Sequence, residues 1–372
     1  MNARLSIFQR IMQQLKQRYR VVAPLLVLAL ARYCYHVIHK RHIEPLHGGI
    51  NLKLLHRDQP FCPVEEWHDT VDGVQQHSIV LYPQATQPSN VLVLVIPGNP
   101  GIPHFYLPLM RELASAHGFR HEVRCMAHAG HFMPWMNDHR AFNLTDQADH
   151  KVAYLKQRLE TNPELRLVLI SHSIGSYLSL KILEAFPDRV DKVVLMQPVI
   201  QHMAKTPQGI KARPLFDYYP WVVKVVHFVE FLLPVTLRRW IVHHAVGGSR
   251  TEPVLHHAAL SLVNGHVMEN VLKMALHEAE EVLDLDDALI RSHEDKMLFV
   301  YSHTDHWVPQ EFVKEYEEKF PAAQHEHIAK EHAFMMESDG TQVMAERILT
   351  WMKDLPGSEQ PVATSCEAAS CS

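Results

Sequence analysis

The chain reads as an α/β protein, a doubly wound and mostly parallel sheet with a helical cap inserted late in the sequence. Three observations carry that reading. Short aliphatic runs alternate with stretches of helical periodicity from Ser78 to Met352. One run, Leu167-Val168-Leu169-Ile170, passes through Ser171-His172-Ser173-Ile174-Gly175 directly into a helix. The alternation stops between Pro198 and about Asp295, where only helical segments are legible.

Taken in order, the first twenty residues set Leu5, Phe8, Ile11, Met12, Leu15 and Tyr19 three or four apart, with basic residues mostly between them. That spacing makes a basic amphipathic helix, of the kind that lies on an anionic membrane surface. An apolar run, Val21 to Ala31, follows and is interrupted by Arg32. It is short of the roughly 20 residues of a membrane span. A monotopic insert, a signal anchor and a mitochondrial presequence all compete for it. The scarcity of serine and the length of the apolar block favour the insert over mitochondrial targeting, so residues 1–45 are expected to associate with a membrane. Residues 1–43 hold eight basic side chains and no acid, so against a total of −5 the remainder carries −13. An acidic remainder excludes nucleic acid as a partner, since phosphate binding needs a basic surface.

The globular domain is expected over 46–354. Ser78–Tyr82, Val91–Ile96, Glu122–Met126, Leu167–Ile170, Lys192–Met196, Lys296–Tyr301 and His325–Ile328 read as strands. Phe105–His117, His150–Leu159 and Val343–Met352 read as helices. The cap is expected over about 200–292. Within it Trp221–Val235 is bulky and apolar on nearly all sides, so it is either buried or presented to lipid. The tail, 355–372, is poor in aromatics and rich in Ser, Ala and Pro, a composition expected to be disordered. Five scattered cysteines make no disulfide framework and suit a reducing compartment, and Asn143-Leu144-Thr145 is read as an unused sequon.

Ser171-His172-Ser173-Ile174-Gly175 is a candidate nucleophile turn. In the G-x-S-x-G pattern the serine is strained, and the residues two before and two after it must be small. Gly175 meets that demand and Ser171 meets it approximately, but the string also suits an ordinary helix cap, so context has to decide. A serine needs a base, a carboxylate that orients the base, and donors for an oxyanion. Each appears in the order Ser, acid, His expected of an α/β-hydrolase. Asp305 follows the strand ending at Tyr301, whereas Asp284, Asp286 and Asp287 lie in a polar stretch that suits a solvated helix end. His332 lies on the loop after the last strand, while His306 is too near Asp305 to be oriented by it. His325 and His327 alternate as ladder residues, with no carboxylate or cysteine at zinc-ligand spacing, and His172 is read as packing on the sheet. With 29 histidines in the chain, position rather than presence selects a catalytic one. For the oxyanion, the turn offers the N–H of Ile174 and the loop Pro97-Gly98-Asn99-Pro100-Gly101 offers that of Asn99, because its prolines have none. No cofactor and no metal are expected.

The strand followed by PGNPG, the H-S-I-G turn, the D-H-W block at 305–307 and the H-A-F block at 332–334 resemble the lipid droplet-associated hydrolase family, a branch of the α/β-hydrolases. The resemblance covers about Val91 to Trp351. It implies a serine hydrolase with Ser173, Asp305 and His332 as the triad, a sterol ester or acylglycerol class of substrate, and a place on lipid droplets and the endoplasmic reticulum membrane with the catalytic domain facing the cytosol. The activity expected is that of a serine esterase or lipase, class EC 3.1.1. Acyl transfer on the same triad is the alternative closest in chemistry. A non-catalytic lipid-surface scaffold is the other, motivated by Ser171 and Ser302 where the family resembles glycine.

Overall fold

The computed structural model describes residues 64–82, 89–116, 120–133 and 140–355. The membrane-associating segment expected over 1–45 and the tail beyond 355 lie outside the described residues. Leu355 itself is 3% exposed and packs in the core, so the domain extends to include it.

Eight strands form one sheet: β1 (Val64–Val71), β2 (Val74–Leu81), β3 (Val91–Ile96), β4 (Glu122–Met126), β5 (Arg166–His172), β6 (Val190–Met196), β7 (Met297–Ser302) and β8 (Gln324–Ile328). Their order across the sheet is β1-β2-β4-β3-β5-β6-β7-β8. From β4 to β8 every neighbouring pair is parallel, while β1–β2 and β2–β4 are antiparallel. The central strands are aliphatic runs because both of their faces are covered. In β3, Leu92, Leu94 and Ile96 enter one core while Val91, Val93 and Val95 enter the other, the period-two alternation of a pleated strand.

β1 was not legible as a strand. Its sequence, Val-Glu-Glu-Trp-His-Asp-Thr-Val, is mostly exposed and lacks an apolar face. The signal that could have found it is the Asp72-Gly73 turn, both residues of which have positive φ (49° and 78°), as a two-residue hairpin requires.

On the faces lie α1 (Leu107–Ala116), α2 (Leu144–Thr161), α3 (Gly175–Ala185), α10 (Gln310–Lys319) and α11 (Gly340–Met352). α2 starts at Leu144 rather than His150 because Asn143 caps it. The Asn143 side chain accepts from the Asp146 N–H at 2.7 Å, and Asp146 accepts from the Asn143 N–H at 2.9 Å. Between β6 and β7 stand six helices: α4 (Pro207–Asp217), α5 (Tyr219–Leu232), α6 (Val235–Ala245), α7 (Pro253–Ser261), α8 (Gly265–Glu281) and α9 (Asp287–Ser292). α8 buries Val267, Leu272, Met274 and Glu278 against the body of the domain. In α5 only Val223 is buried, so the apolar segment read as either buried or lipid-facing is largely on the surface. No helix among the described residues is long and apolar enough to cross a membrane.

Register sets up the site. Ile96 of β3 is level with Ser171 of β5, His172 with Met196 of β6, and Met196 with Val300 of β7. The loops after β3, β5 and β7 therefore open at one carboxyl edge, where ligands of open α/β sheets bind.

Candidate active site

Ser173 sits between β5 and α3 with φ +55°, a left-handed conformation that a non-glycine residue adopts only when its surroundings impose it. What imposes it is the close approach of two loops. A Cβ on Gly175 would lie 2.4 Å from the Ile96 carbonyl oxygen, and one on Gly98 would lie 2.9 Å from the Ser173 Cβ. Any side chain at either place would pry the serine away from the end of β3. Ser171 is accommodated: its buried hydroxyl donates to the Val194 carbonyl at 2.9 Å. Ser302 also has partners. Its hydroxyl donates to the Lys330 carbonyl and accepts from the Thr304 N–H at 3.3 Å, tying the loop after β7 to the loop that carries His332.

His332 Nε2 lies 2.9 Å from Ser173 Oγ, and His332 Nδ1 lies 2.7 Å from Asp305 Oδ2. With Nδ1–H donating to the carboxylate, Nε2 keeps a lone pair for the serine hydroxyl. Asp305 is 4% exposed and accepts from the Trp307 and Val308 N–H groups through Oδ1, at 2.7 and 3.3 Å. Burial alone would raise its carboxyl, but the His332 hydrogen bond and these backbone donors outweigh burial and hold it below the ordinary carboxylate range. Two of the three rivals are used elsewhere: Asp286 caps α9 through the Leu289 N–H, and Asp287 pairs with Lys319. His325 contacts Tyr301 and the Phe320 carbonyl, and His327 contacts Glu317, so both are packing residues of β8.

The two N–H groups named from sequence belong to the residue after Ser173 and to the loop after β3. In the loop after β3, the Gly98 N–H donates to Tyr106 Oη at 2.8 Å and the Gly101 N–H donates to the Gly98 carbonyl. That leaves the Asn99 N–H, which like the Ile174 N–H has no acceptor among the described residues.

Three supporting residues were beyond sequence reasoning. His172 donates from Nε2 to the His332 carbonyl at 2.9 Å and accepts the Tyr106 hydroxyl proton at Nδ1, at 2.7 Å. Burial, with His332 adding to it, pushes its imidazole down to about 3, so the ring is neutral. Gly98, Tyr106, His172 and His332 thus form one continuous chain of hydrogen bonds linking the loop after β3 to the loop after β8. The third is Glu278 of α8, 3% exposed, whose Oε1 accepts from Asn99 Nδ2 at 2.9 Å while the same amide donates to the Val271 carbonyl. Burial pushes the Glu278 carboxyl up to about 8 against the pull of the Asn99 hydrogen bond, so it is protonated at neutral pH. No sequence signal marks the contacts of His172 and Glu278, because each joins residues more than sixty positions apart.

An alcohol held by an imidazole that is itself oriented by a carboxylate is the arrangement that makes serine nucleophilic. Solved structures with the same fold include a haloalkane dehalogenase from Agrobacterium tumefaciens, with TM-score 0.57 and 14% identity over 78% of this chain and 96% of that one. A thermophilic esterase from Thermogutta terrifontis gives TM-score 0.51 and 16% identity over 78% and 98%. At those identities the likeness is one of fold, the α/β-hydrolase fold. Among curated proteins, the lipid droplet-associated hydrolases of Gallus gallus and Homo sapiens are each 29% identical. The alignments cover 71% and 74% of this chain and 85% and 88% of theirs. The model of the lipid-droplet associated hydrolase family matches residues 89–335, from the strand before the Asn99 loop to just beyond His332. The chain belongs to the lipid-droplet associated hydrolase family.

Proposed function

We propose that the protein is a serine esterase that cleaves carboxylic esters of lipids, of the sterol ester or acylglycerol class, at a lipid droplet or membrane surface. The observation that carries this reading is the relay from Ser173 Oγ to His332 Nε2 (2.9 Å) and from His332 Nδ1 to Asp305 Oδ2 (2.7 Å), at a serine held with positive φ. His332 takes the serine proton as Oγ attacks the ester carbonyl. The negative charge that develops on the carbonyl oxygen is met by the N–H groups of Asn99 and Ile174, donors that need no reorganisation during the step. His332 then returns the proton to the departing alcohol, leaving an acyl group on Ser173, and activates water to release it. Asp305, ionised throughout, stabilises the imidazolium in both halves. A lipid alcohol in the place of water would give acyl transfer with the same residues in the same roles.

Support for a lipid surface comes from the cap. Tyr218, Trp221, Val225, Phe228 and Trp240, on and around α5 and α6, are each 58–67% exposed. An aromatic apolar face of that kind marks an interaction site on a soluble domain. The names of the relatives from chicken and human point to lipid droplets. The droplet and endoplasmic reticulum surface, with the domain on the cytosolic side, is the location proposed. The test is turnover of emulsified long-chain esters by the full chain and by Ser173→Ala. Hydrolysis should vanish in the variant, and wild-type turnover by a folded Ser173→Ala protein would refute the esterase reading.

A further inference from the structure

We propose that Glu66, His68 and His77 form a binding site for a divalent transition metal ion of the zinc kind, clipping the edge strand β1 to β2 away from the Ser173 site. The sheet register brings the three side chains together. His68 is directly opposite His77, and Glu66, two residues along β1 from His68, projects from the same face. One ligand atom from each, a ring nitrogen or a carboxylate oxygen, lies within 4.8 Å of the others, with Glu66 Oε2 and His77 Nε2 3.5 Å apart. Tetrahedral zinc, with bonds of about 2.0–2.1 Å, spaces its ligand atoms about 3.3 Å apart. His68 is exposed on the edge strand with its ring stacked on that of His77, centroids 4.8 Å apart, so its side-chain rotation closes the remaining distance.

Two further observations point to an ion. His77 is 3% exposed, yet its Nδ1 makes no hydrogen bond among the described residues and its Nε2 has only the long 3.5 Å contact to Glu66 Oε2. Buried polar atoms in folded proteins nearly always have a partner, and a metal would supply it. The carboxylate is also held from behind: His104, 6% exposed, places Nε2 3.0 Å from Glu66 Oε1, leaving Oε2 for the ion. Outer hydrogen bonds of this sort orient metal-binding carboxylates. Two imidazoles with one carboxylate select zinc-like transition metals over calcium or magnesium, which take oxygen donors. A fourth position, open to solvent, falls to water. The effect is on the hairpin: β1 is polar, pairs on one side only, and gains a cross-strand bond that its own packing lacks.

The test uses the full chain, stripped with a chelator and titrated with Zn²⁺ by calorimetry and thermal unfolding. One ion per chain, bound at about 1 μM or tighter, and a rise in melting temperature with Zn²⁺ are expected. His68→Gln, at an exposed position, should lose both responses while ester turnover stays unchanged, and His104→Gln should weaken binding about 10–100-fold. Absence of tight Zn²⁺ binding by the wild-type chain would overturn the proposal. So would binding by His68→Gln equal to wild type, which would assign the ion to other histidines among the 29.

Discussion

Replacing Glu278 by Gln should leave ester turnover at neutral pH within about twofold, because a protonated carboxyl and an amide present the same acceptor to Asn99. The consequence appears in stability against pH. The folded-state carboxyl titrates at about 8 against an ordinary value of 4.5, so the folded protein holds this proton more tightly than the unfolded chain. Its stabilising effect is fully present below 4.5 and is lost as pH rises toward 8. Between pH 5 and pH 7 that linkage amounts to about 2–3 kcal/mol, from 1.36 kcal/mol per pH unit while only the unfolded chain is ionised. Gln at this position cannot titrate. Denaturant unfolding of both proteins at pH 5, 6 and 7 should therefore show the wild type losing stability relative to Glu278→Gln by about that amount. Glu278→Leu separates the hydrogen bond from the charge. It leaves the Asn99 side-chain amide Nδ2 with one of its two acceptors missing, a cost of about 1–3 kcal/mol, and lets the Asn99 loop shift. If that shift removes the backbone donor from the oxyanion, kcat falls by as much as about 10²–10³-fold. Parallel pH–stability curves for wild type and Glu278→Gln would refute the protonated, buried carboxyl and its grip on the loop.

Asp305→Asn should keep the hydrogen bonds from Trp307 and Val308 but present the wrong partner to His332 Nδ1, lowering kcat by about 10³–10⁴-fold with an unchanged circular dichroism spectrum. Tyr106→Phe strands the Gly98 N–H and His172 Nδ1 in the core and should cost about 1–3 kcal/mol, read as a drop in melting temperature in scanning calorimetry. The triple variant Trp221→Ser, Phe228→Ser, Trp240→Ser removes three exposed rings of the cap. It should lose flotation with triacylglycerol emulsions while turnover of a short soluble ester stays within about twofold of wild type.

Much of the candidate site's geometry was legible because its parts obey local rules. Ser173 announces itself by a strand, a small-residue turn and a helix in succession, and Asp305 and His332 follow late strands in the order the fold demands. The prolines of the 97–101 loop left few N–H groups to choose from, and the structure shows Gly98 and Gly101 already engaged, with Asn99 left over. Other features depended on partners that no window of sequence contains. Tyr106, His172 and Glu278 matter only through tertiary hydrogen bonds, and His172 looked like an ordinary sheet-packing residue. β1 was missed because an edge strand with polar side chains on both faces lacks the hydrophobic alternation that marks a strand. The start of α2 was missed because Asn143 was read as part of a sequon rather than as a helix cap. For the Trp221–Val235 segment, composition left burial and exposure equally open, and only its placement on the outside of the cap shows the exposed face.

The most direct measurement is the site of covalent modification by a fluorophosphonate, located by mass spectrometry of peptides from the intact wild-type chain. A nucleophile activated by His332 predicts a single adduct on Ser173, absent from Ser173→Ala and strongly slowed in His332→Ala. An adduct on any other serine, or labelling of Ser173 that is indifferent to the loss of His332, would contradict the relay.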